Sequence, residues 1–376
     1  MTNKKITFIT LTGFQIGGSE DLWVRTAKLL CKQHQIVFFT NKFKQLPLKF
    51  KELKAEGAVH VDCIDYLANS FLAKQVNKIR MFFNKKFNWR YRKIAAGKPD
   101  KICINLAYQF LSVSHPDLTK MLNEIKVPYI IILQYCNEHP SLSDAHRKEV
   151  AEFYKNAENV FFVSKRNQLV IERILCERLP NAQIISNPVK TRNKVIIFPK
   201  ISTIQFASIA RLDIEHKAQD ILMQILSGTN WQDRDWHLNV YGEGQDKNYL
   251  IQLTKFYGIQ SKVTFHGQVE AIESVWQNNH ILLLPSTAEG TPLTLLEAMA
   301  CGRTAVVTDV GGNTEMMDSQ IGYIADCFNF NSFGKAMEQA WLDKENWESN
   351  GVKAHELLKD RLIWASDQII ADALRK

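Results

Sequence analysis

The chain has 376 residues, and its hydrophobic fraction of 45% and charged fraction of 23% are typical of a soluble globular protein with two domains. Its net charge of +8 is uneven: residues 1–190 carry 30 Lys and Arg against 16 Asp and Glu, and residues 191–376 carry 17 against 23. The first half is therefore expected to meet an anionic partner, while the absence of any apolar run near roughly 20 residues argues against a membrane span.

Short apolar runs alternate with helical stretches in the first half. The stretch SEDLWVRTAKLLCKQ has helical spacing, with Ser19 as its predicted N-cap. Near-continuous apolar runs favour a parallel sheet covered on both faces, and the strands are predicted at KITFITL, QIVFFT, AVHVDCI, KICINL, PYIIIL, NVFFV and AQIIS. The first of these also fits a buried strand better than a signal peptide, because no small-residue cleavage site follows it.

The second half repeats this alternation, with strands predicted at STIQFASI, WHLNVYG, KVTFHG, HILLLP, TAVVTD and GYIAD. We predict an α/β fold of two Rossmann-like, doubly wound parallel-sheet domains facing a cleft. The first domain is placed at 1–190 and the second at 201–355, with the boundary in the polar, proline-flanked SNPVKTRNKVIIFPK. The amphipathic tail, 356–376, is predicted to be a helix that packs across the domain pair.

A glycine pair, Gly17 and Gly18, follows the first predicted strand in LTGFQIGGSEDLW. Glycine permits close approach of the backbone to a phosphate or a sugar, although a plain tight turn explains the pair equally well. The stretch is not G-x-G-x-x-G, so a dinucleotide fingerprint is absent and a Rossmann dehydrogenase is disfavoured.

Two cations follow a strand in ASIARLDIEHKAQDILM. Arg211 and Lys217 come after the carboxyl end of that strand and before a helix. Arginine supplies a planar fork and lysine a mobile point charge, which together suit a diphosphate. Ordinary surface charges are the alternative explanation.

Two glutamates flank an apolar run in STAEGTPLTLLEAMACG. The preceding HILLLPS predicts a strand and TPLTLLEAMACG a helix that ends at Gly302, so Glu289 lies in the loop and Glu297 within the helix. The free N–H groups of the helix start suit a phosphate. We expect Glu297 to accept hydrogen bonds from two vicinal hydroxyls and Glu289 from a hydroxyl beside the phosphate; solvent-facing glutamates are the alternative.

Together these segments resemble the retaining glycosyltransferases of family 4, which have the GT-B architecture. The resemblance covers nearly the whole chain and is strongest over 201–325, and it is carried by GGSE, FVSK, SNPV, ARL…HKAQD, VYGEG, VTFHGQV, ILLLPSTAEGTPLTLLEAMACG and VVTDVGGNTE. The ordered combination is specific for the family and much less so for the sugar that is moved.

The resemblance implies roles for these residues. Arg211 and Lys217 would bind the diphosphate of a nucleotide-sugar donor, Glu297 its ribose and Glu289 the transferred sugar. Gly17 and Gly18 would close on the donor from the other domain. Further backbone contacts would come from the segment that opens the helix, namely Gly290, Thr291, Pro292, Leu293 and Thr294.

The chain departs from the family pattern at one position. Many members carry His at the end of the strand that here is PYIIILQYCNEH, and by offset Gln134 takes that place. Gln cannot act as a general base, but it can bind substrate by hydrogen bonding. His139, five residues later, could enter the site, but an ordinary loop histidine is the preferred explanation. A mechanism in which the leaving phosphate takes the acceptor proton tolerates Gln.

No metal or other cofactor is expected. The seven cysteines are scattered without C-x-x-C, which indicates reduced thiols in the cytoplasm. The D-x-D-like DRD at 233–235 precedes a predicted strand and so lies at the wrong end of the sheet for a ligand. Cations and a helix N-terminus would stabilise the leaving diphosphate instead.

The segment KIRMFFNKKFNWRYRK, 78–93, interleaves aromatic and basic residues, and no acidic residue occurs between Asp65 and Asp100. This pattern favours an anionic membrane surface on the inner face of the cell membrane. No RNA-binding motif accompanies it, so nucleic acid is disfavoured. A solvated helix with core-facing aromatics is the alternative.

We therefore predict a hexosyltransferase that uses a nucleotide-diphosphate sugar, by default a UDP-sugar. Its acceptor is predicted to be a lipid-linked saccharide in surface polysaccharide or lipopolysaccharide assembly. Two rivals remain: a sugar-nucleotide epimerase of related architecture, and a non-catalytic nucleotide-sugar-binding protein, which Gln134 favours.

Overall fold

A computed structural model describes residues 3–11, 17–62, 89–106, 108–189, 194–269 and 271–376. The chain forms two compact domains, and its last helix returns to the first of them: the first domain comprises 1–188 with 364–376, and the second comprises 189–363. In the described residues, no helix has the length and apolar character that crossing a membrane requires. The expectation that the tail packs across the domain pair stays a prediction.

Each of the thirteen predicted strands forms. In the first domain a seven-stranded parallel sheet has the order β3-β2-β1-β4-β5-β6-β7. Its strands are β1 (Lys5–Thr10), β2 (Gln35–Thr40), β3 (Val59–Asp62), β4 (Lys101–Leu106), β5 (Tyr129–Leu133), β6 (Asn159–Phe162) and β7 (Ala182–Ile184). The direction in which strands are added reverses between β1 and β4.

The second domain holds a six-stranded parallel sheet in the order β10-β9-β8-β11-β12-β13. Its strands are β8 (Ile204–Ile209), β9 (Trp236–Tyr241), β10 (Val263–Gly267), β11 (Ile281–Leu284), β12 (Thr304–Thr308) and β13 (Tyr323–Ala325). Here the reversal falls between β8 and β11. Two doubly wound parallel sheets of this kind make the GT-B fold that the sequence predicts.

Helices connect the strands, as parallel sheets require. In the first domain they are α1 (Asp21–Cys31), α2 (Leu48–Ala55), α3 (Trp89–Ala96), α4 (Leu111–Ser114), α5 (Pro116–Ile125), α6 (Asp144–Lys155) and α7 (Lys165–Leu175). In the second domain they are α8 (Ile214–Lys217), α9 (Gln219–Leu226), α10 (Thr229–Gln232), α11 (Lys247–Phe256), α12 (Ile272–Trp276), α13 (Leu293–Ala300), α14 (Asn313–Met316), α15 (Phe330–Leu342) and α16 (Trp347–Arg361). The chain ends in α17 (Ser366–Arg375), in the first domain.

Apolar cores cover both faces of each sheet. In the first domain one face packs Phe8 and Ile132 against Trp23 of α1 and Leu374 of α17, and the other buries alternate residues of the same strands, such as Ile131. The second domain has the same arrangement. This burial on two faces explains why the strands appear in the sequence as nearly continuous apolar runs.

Two local predictions were wrong. Ser19 is not the N-cap of α1, because residues Gly18–Glu20 form a 3-10 turn and the Ser19 hydroxyl donates to the Glu20 carboxylate at 2.9 Å. The amphipathic tail is not one helix either. α16 ends at Arg361 and α17 begins at Ser366, after Ala365 adopts a left-handed conformation with φ +58°.

Arg303 holds the segment around Ile196 and Ile197, near the start of the second domain. Its guanidinium is fully buried and donates to six carbonyl oxygens, those of Asn279, Ile196, Ile197, Cys301, Gly302 and Trp276, at 2.5–3.1 Å. Burial lowers the pKa of Arg303 to about 10, so the group remains protonated at neutral pH. One side chain thus satisfies acceptors from three separate segments of the domain.

Replacement of Arg303 by Met is expected to destabilise the second domain by roughly 3 kcal/mol or more, because it leaves buried carbonyl groups without donors. Urea unfolding followed by tryptophan fluorescence tests this, since five of the eight tryptophans lie in that domain. Arg234→Met is the control: Arg234 forms a more exposed pair with Glu338 at 2.8 Å, and its loss should cost about 1 kcal/mol. Equal losses in the two variants would contradict the role of Arg303.

Candidate functional site

The predicted donor-binding residues follow the two central strands of the second domain. Arg211 and Lys217 come after β8, and Glu289 comes after β11. The strand order reverses between these two strands, and ligands of doubly wound sheets bind outside the carboxyl ends of the strands at such a point. The topology therefore collects these side chains where a ligand is expected.

Lys217 and Glu289 are in direct contact. The Lys217 Nζ lies 2.5 Å from the Glu289 Oε1, and the Ser286 hydroxyl donates to the same oxygen at 2.7 Å. The Lys217 and Glu289 side chains are 20% and 7% exposed. Thr287 joins the same two loops, because its backbone N–H donates to the His216 carbonyl oxygen at 3.0 Å. Sequence reasoning predicted both charged residues but not their pairing.

Arg211 has a carboxylate partner of its own. Its Nη2 lies 2.7 Å from the Asp213 Oδ2, and the His216 Nδ1 lies 3.2 Å from both carboxylate oxygens. Burial raises the pKa of Asp213, but the hydrogen bond from His216 and the charge of Arg211 outweigh it, so the net pKa lies below its usual value. Asp213 is therefore an anion at neutral pH that orients Arg211, a role that the sequence alone did not reveal.

The segment after Glu289 leads into α13. Gly290, Thr291 and Pro292 are buried, and Leu293 and Thr294 are half-buried at the start of the helix. Pro292 is the N-cap and has no side-chain hydrogen bond to the first turn. Glu297 lies in the second turn and is 7% exposed. Both glutamates are thus largely buried, which excludes the alternative that they simply face solvent.

Gly311 allows the loop after β12 to pack against this segment. A Cβ at Gly311 would lie 2.3 Å from the Glu289 carbonyl oxygen and 2.7 Å from that of Gly290, and its φ is +53°. The Gly312 N–H also donates to the Gly290 oxygen at 2.5 Å. The backbone position of Glu289 therefore depends on the absence of a side chain at residue 311.

Two further glycines hold the loop that carries Arg211. A Cβ at Gly242 would lie 2.0 Å from the Ala210 oxygen, and one at Gly244 would lie 2.1 Å from the Leu212 oxygen. The Leu212 N–H donates to the Glu243 oxygen at 3.1 Å in the same contact. The motif VYGEG contributes to the family resemblance, but the tight backbone contact that it provides was not predicted.

In the first domain, Gly17 and Gln134 also follow strands. The Gly17 N–H donates to the Glu20 carboxylate at 3.1 Å, and its carbonyl accepts from Lys49. Among the described residues a Cβ at Gly17 would meet nothing within 4 Å, and Gly18 opens the 3-10 turn. Gln134 comes directly after β5 and is 5% exposed, and neither polar atom of its amide has a hydrogen-bond partner in the residues described above. The predicted closure of the glycines on a donor stays a prediction.

The second domain also holds a group of possible metal ligands. Asp213, Glu215 and His216 each place one ligand atom within 4.8 Å of the others. The guanidinium of Arg211 already binds Asp213, and a positive charge there opposes a cation, so the group fits an ionic network better. The DRD residues, 233–235, precede β9 at the amino end of the sheet, as predicted. That no metal is needed stays a prediction.

The comparisons with known proteins agree with this arrangement. Residues 191–354 match the family described as glycosyl transferases group 1. A lipopolysaccharide 1,6-galactosyltransferase of Escherichia coli (strain K12) is 28% identical over 189 residues, which cover 48% of this chain and 51% of that protein. The chain spans about half the length, or less, of the first curated relatives that it matches.

One relative matches along most of the chain, with 24% identity over 362 residues that cover 95% of this chain and 94% of the relative. It is the GalNAc-alpha-(1->4)-GalNAc-alpha-(1->3)-diNAcBac-PP-undecaprenol alpha-1,4-N-acetyl-D-galactosaminyltransferase of Campylobacter jejuni subsp. jejuni serotype O:2. Among solved structures, Anabaena HepE in complex with UDP and glucose is similar, with a TM-score of 0.75, 16% identity and 100% of both chains covered.

Residues 191–354 are thus similar to the glycosyl transferases group 1, and the fold of the chain is GT-B. This match supports the resemblance at the level of the group, while the narrower assignment to family 4 stays a prediction. The apo form of the lipopolysaccharide outer core galactosyltransferase WaaB shares the fold, with a TM-score of 0.67, 20% identity and 98% of both chains covered.

Replacement of Gly311 by Ala is expected to destabilise the second domain by roughly 3 kcal/mol or more, since a Cβ meets the Glu289 and Gly290 carbonyl groups and the backbone is left-handed. Gly258→Ala is a matched control, because Gly258 also has a positive φ, +71°, but a Cβ there meets nothing within 4 Å. It should cost only about 1 kcal/mol. Urea denaturation measures both, and equal losses would show that the close contact at Gly311 is unimportant.

Proposed function

We propose that the chain is a retaining glycosyltransferase that moves a sugar from a nucleotide-diphosphate sugar, by default a UDP-sugar, to a saccharide acceptor. The observation that carries the proposal is the buried Lys217–Glu289 pair at the switch point of the second sheet, beside the start of α13. A cation and a sugar-binding carboxylate in contact match the junction of a diphosphate and a sugar. Their spacing supports one ligand that meets both side chains.

Charge exchange is the proposed basis of donor binding. Without a ligand, Arg211 is paired with Asp213 and Lys217 with Glu289, so both cations are already held in place. A diphosphate would take over the two cations, and the hydroxyls of the sugar would take over Glu289. Preorganised cations stabilise the negative charge that develops on the leaving diphosphate, and the first turn of α13 adds its backbone N–H groups.

This assignment leaves the chemistry independent of a metal. Glu297, buried in the second turn of α13, would accept hydrogen bonds from the ribose hydroxyls. Gln134 cannot remove a proton, so the acceptor proton would pass to the leaving phosphate on the same face of the sugar, which retains the configuration. Gln134 would instead hydrogen-bond a sugar hydroxyl, consistent with its buried amide.

The acceptor is proposed to be a lipid-linked saccharide used in surface polysaccharide or lipopolysaccharide assembly. The names of two relatives support this: one is a lipopolysaccharide galactosyltransferase and the other acts on an undecaprenol-linked saccharide. Activity at such an acceptor places the enzyme at the cytoplasmic face of the cell membrane.

The two glutamates provide the test of the proposed function. Glu297→Ala should weaken binding of UDP and of UDP-sugars alike by about 1.5–3 kcal/mol, because it removes a charged acceptor for the ribose. Glu289→Ala should leave UDP affinity nearly unchanged and reduce sugar transfer. Calorimetric titration with UDP and UDP-glucose, UDP-galactose and their N-acetyl forms measures the first effect, and release of UDP in the presence of acceptor measures the second.

Glu356→Ala is the control, since Glu356 is an exposed carboxylate of the same domain and should change neither quantity. Equal effects of the two glutamate variants on UDP affinity would contradict the assigned roles. An acceptor-independent change of the donor sugar would identify an epimerase instead. Tight donor binding by the wild type with neither transfer nor hydrolysis would identify a non-catalytic binding protein.

Membrane attachment is a separate proposal, based on the basic segment 78–93. Residues 78–88 lie outside the described residues, and 89–96 form α3. There Arg92 and Lys93 are exposed, whereas Tyr91 is buried in the core and so does not reach a lipid surface. The alternative of core-facing aromatics therefore holds for Tyr91, and the proposal depends on the basic residues.

Replacement of Lys85, Lys86, Arg90 and Arg92 by Gln is expected to abolish binding to anionic vesicles at low salt, since each basic residue contributes about 1 kcal/mol. Donor binding should persist. A control with the same change of charge replaces four exposed lysines of the second domain, Lys255, Lys335, Lys353 and Lys359. Cosedimentation with phosphatidylglycerol vesicles measures vesicle binding. An equal loss of binding in both variants would show that overall charge, and not the basic segment, is responsible.

A further inference from the structure

The first domain has its own switch point, between β1 and β4, and polar residues line it. Thr10 of β1 pairs in register with Asn105 of β4, and Asn105 pairs with Ile132 of β5, two residues before Gln134. Because side chains alternate along a strand, Thr10, Asn105 and Gln134 lie on one face. That face is otherwise apolar, with Phe8 and Ile132 immediately before them in the strands.

The amides on this face are buried without full hydrogen bonding. Asn105 is 2% exposed; its Nδ2 reaches the Thr10 hydroxyl at 3.4 Å, and its Oδ1 has no partner among the residues that the structure describes. Gln134 is 5% exposed, and within the described part of the chain neither its Oε1 nor its Nε2 has a partner. An unsatisfied buried polar atom costs about 1–3 kcal/mol, so three of them on adjacent strands call for a partner that supplies hydrogen bonds.

The loop that follows Gln134 is held firmly. The Gln109 amide donates to the Asn137 carbonyl at 2.7 Å and accepts from the Asn137 N–H at 2.9 Å, while the Tyr154 hydroxyl donates to the Gln109 carbonyl at 2.9 Å. The next residue, Glu138, binds Arg166 of α7 at 2.7 Å. Because the loop is held at Asn137 and Glu138, the backbone at Gln134 is also restrained. A shift that would let the Gln134 amide find a partner within the protein is therefore unfavourable.

We propose that Asn105, together with Gln134, recognises hydroxyl groups of a sugar at the switch point of the first domain. This rests on the proposed function, because it names further residues through which the same enzyme would select its saccharide. Asn105 supplies an acceptor, and Gln134 supplies both an acceptor and a donor. A hydroxyl group can donate and accept at once, and uncharged amides suit such a neutral ligand better than an anion.

The sugar has two possible sources, the sugar of the donor or the saccharide acceptor, and the chemistry of recognition is the same for both. In either case Asn105 determines specificity and does not act as an acid or a base. Its loss should therefore change the affinity for a sugar while leaving the affinity for the nucleotide alone unchanged.

Stability provides the first test, because a satisfied amide and an unsatisfied one respond differently to replacement. Asn105→Leu removes the unsatisfied Oδ1 and only one long hydrogen bond, from Nδ2 to the Thr10 hydroxyl at 3.4 Å, so the midpoint of thermal unfolding should stay within about 2 °C of the wild type. Asn279→Leu is the matched control: Asn279 is fully buried, donates to Tyr241 and Val275, and accepts from Asn239. It should lower the midpoint by about 4 °C or more.

Binding provides the second test, on the full chain. UDP and UDP-glucose are titrated calorimetrically, and methyl glycosides of glucose, galactose, N-acetylglucosamine and N-acetylgalactosamine are titrated by saturation-transfer NMR. For a donor sugar, Asn105→Leu should weaken UDP-glucose roughly three- to tenfold and leave UDP unchanged. If the sugar belongs to the acceptor, Asn105→Leu should lower the affinity for a methyl glycoside that the wild type binds by the same factor, and the affinity for UDP-glucose should stay unchanged. Asn105→Ala should reproduce the result without the added bulk of Leu.

The outcomes separate this inference from the proposed function. The inference alone is overturned if the wild type binds UDP-glucose and both Asn105 variants bind it with the same affinity as the wild type, while no methyl glycoside changes its affinity either. A drop in unfolding midpoint for Asn105→Leu equal to that for Asn279→Leu also overturns it, since Asn105 would then be a structural amide. A wild-type chain that binds a methyl glycoside through Asn105 but no nucleotide sugar supports the inference and contradicts the proposed function. No binding of any probe overturns both.

Discussion

The contact between Lys217 and Glu289 is the interaction on which the candidate site depends. It joins the loops after β8 and β11, the two strands between which the second sheet reverses direction. The pair is more than a surface salt bridge, because Glu289 is largely buried and Ser286 donates to the same carboxylate oxygen. Gly311 completes the arrangement by allowing a neighbouring loop to approach the Glu289 backbone more closely than any side chain permits.

Each cation of the site carries a compensating carboxylate, and this shapes how an anionic ligand would bind. Asp213 holds Arg211 and Glu289 holds Lys217, so the cations are oriented before a ligand arrives. In the proposed function a diphosphate would meet preformed positive groups, and the displaced carboxylates would become available as acceptors for hydroxyls. The same residues thus serve both the charged and the hydroxylated part of a nucleotide sugar in the proposed function.

The first domain presents different side chains at the corresponding place in its sheet. Its switch point presents neutral amides, Asn105 and Gln134, where the second domain presents charges. Gln109 and Arg166 hold the loop that follows Gln134 through Asn137 and Glu138. Neutral amides suit sugar hydroxyls and charges suit a diphosphate, so each domain presents the groups that its own proposed role needs.

The sequence alone determined the strands, the two-domain GT-B fold and the charged residues of the second domain, because apolar periodicity and glycine or proline positions act over short distances. It did not determine the start of α1, where a 3-10 turn replaces the predicted cap at Ser19, nor the break at Ala365. Only the tertiary structure paired Lys217 with Glu289, 72 residues apart, and placed Asn105 beside Thr10 and Gln134. The order of the strands in the sheet determines which distant residues become neighbours. That order results from packing between segments far apart in the sequence, which local sequence patterns do not contain.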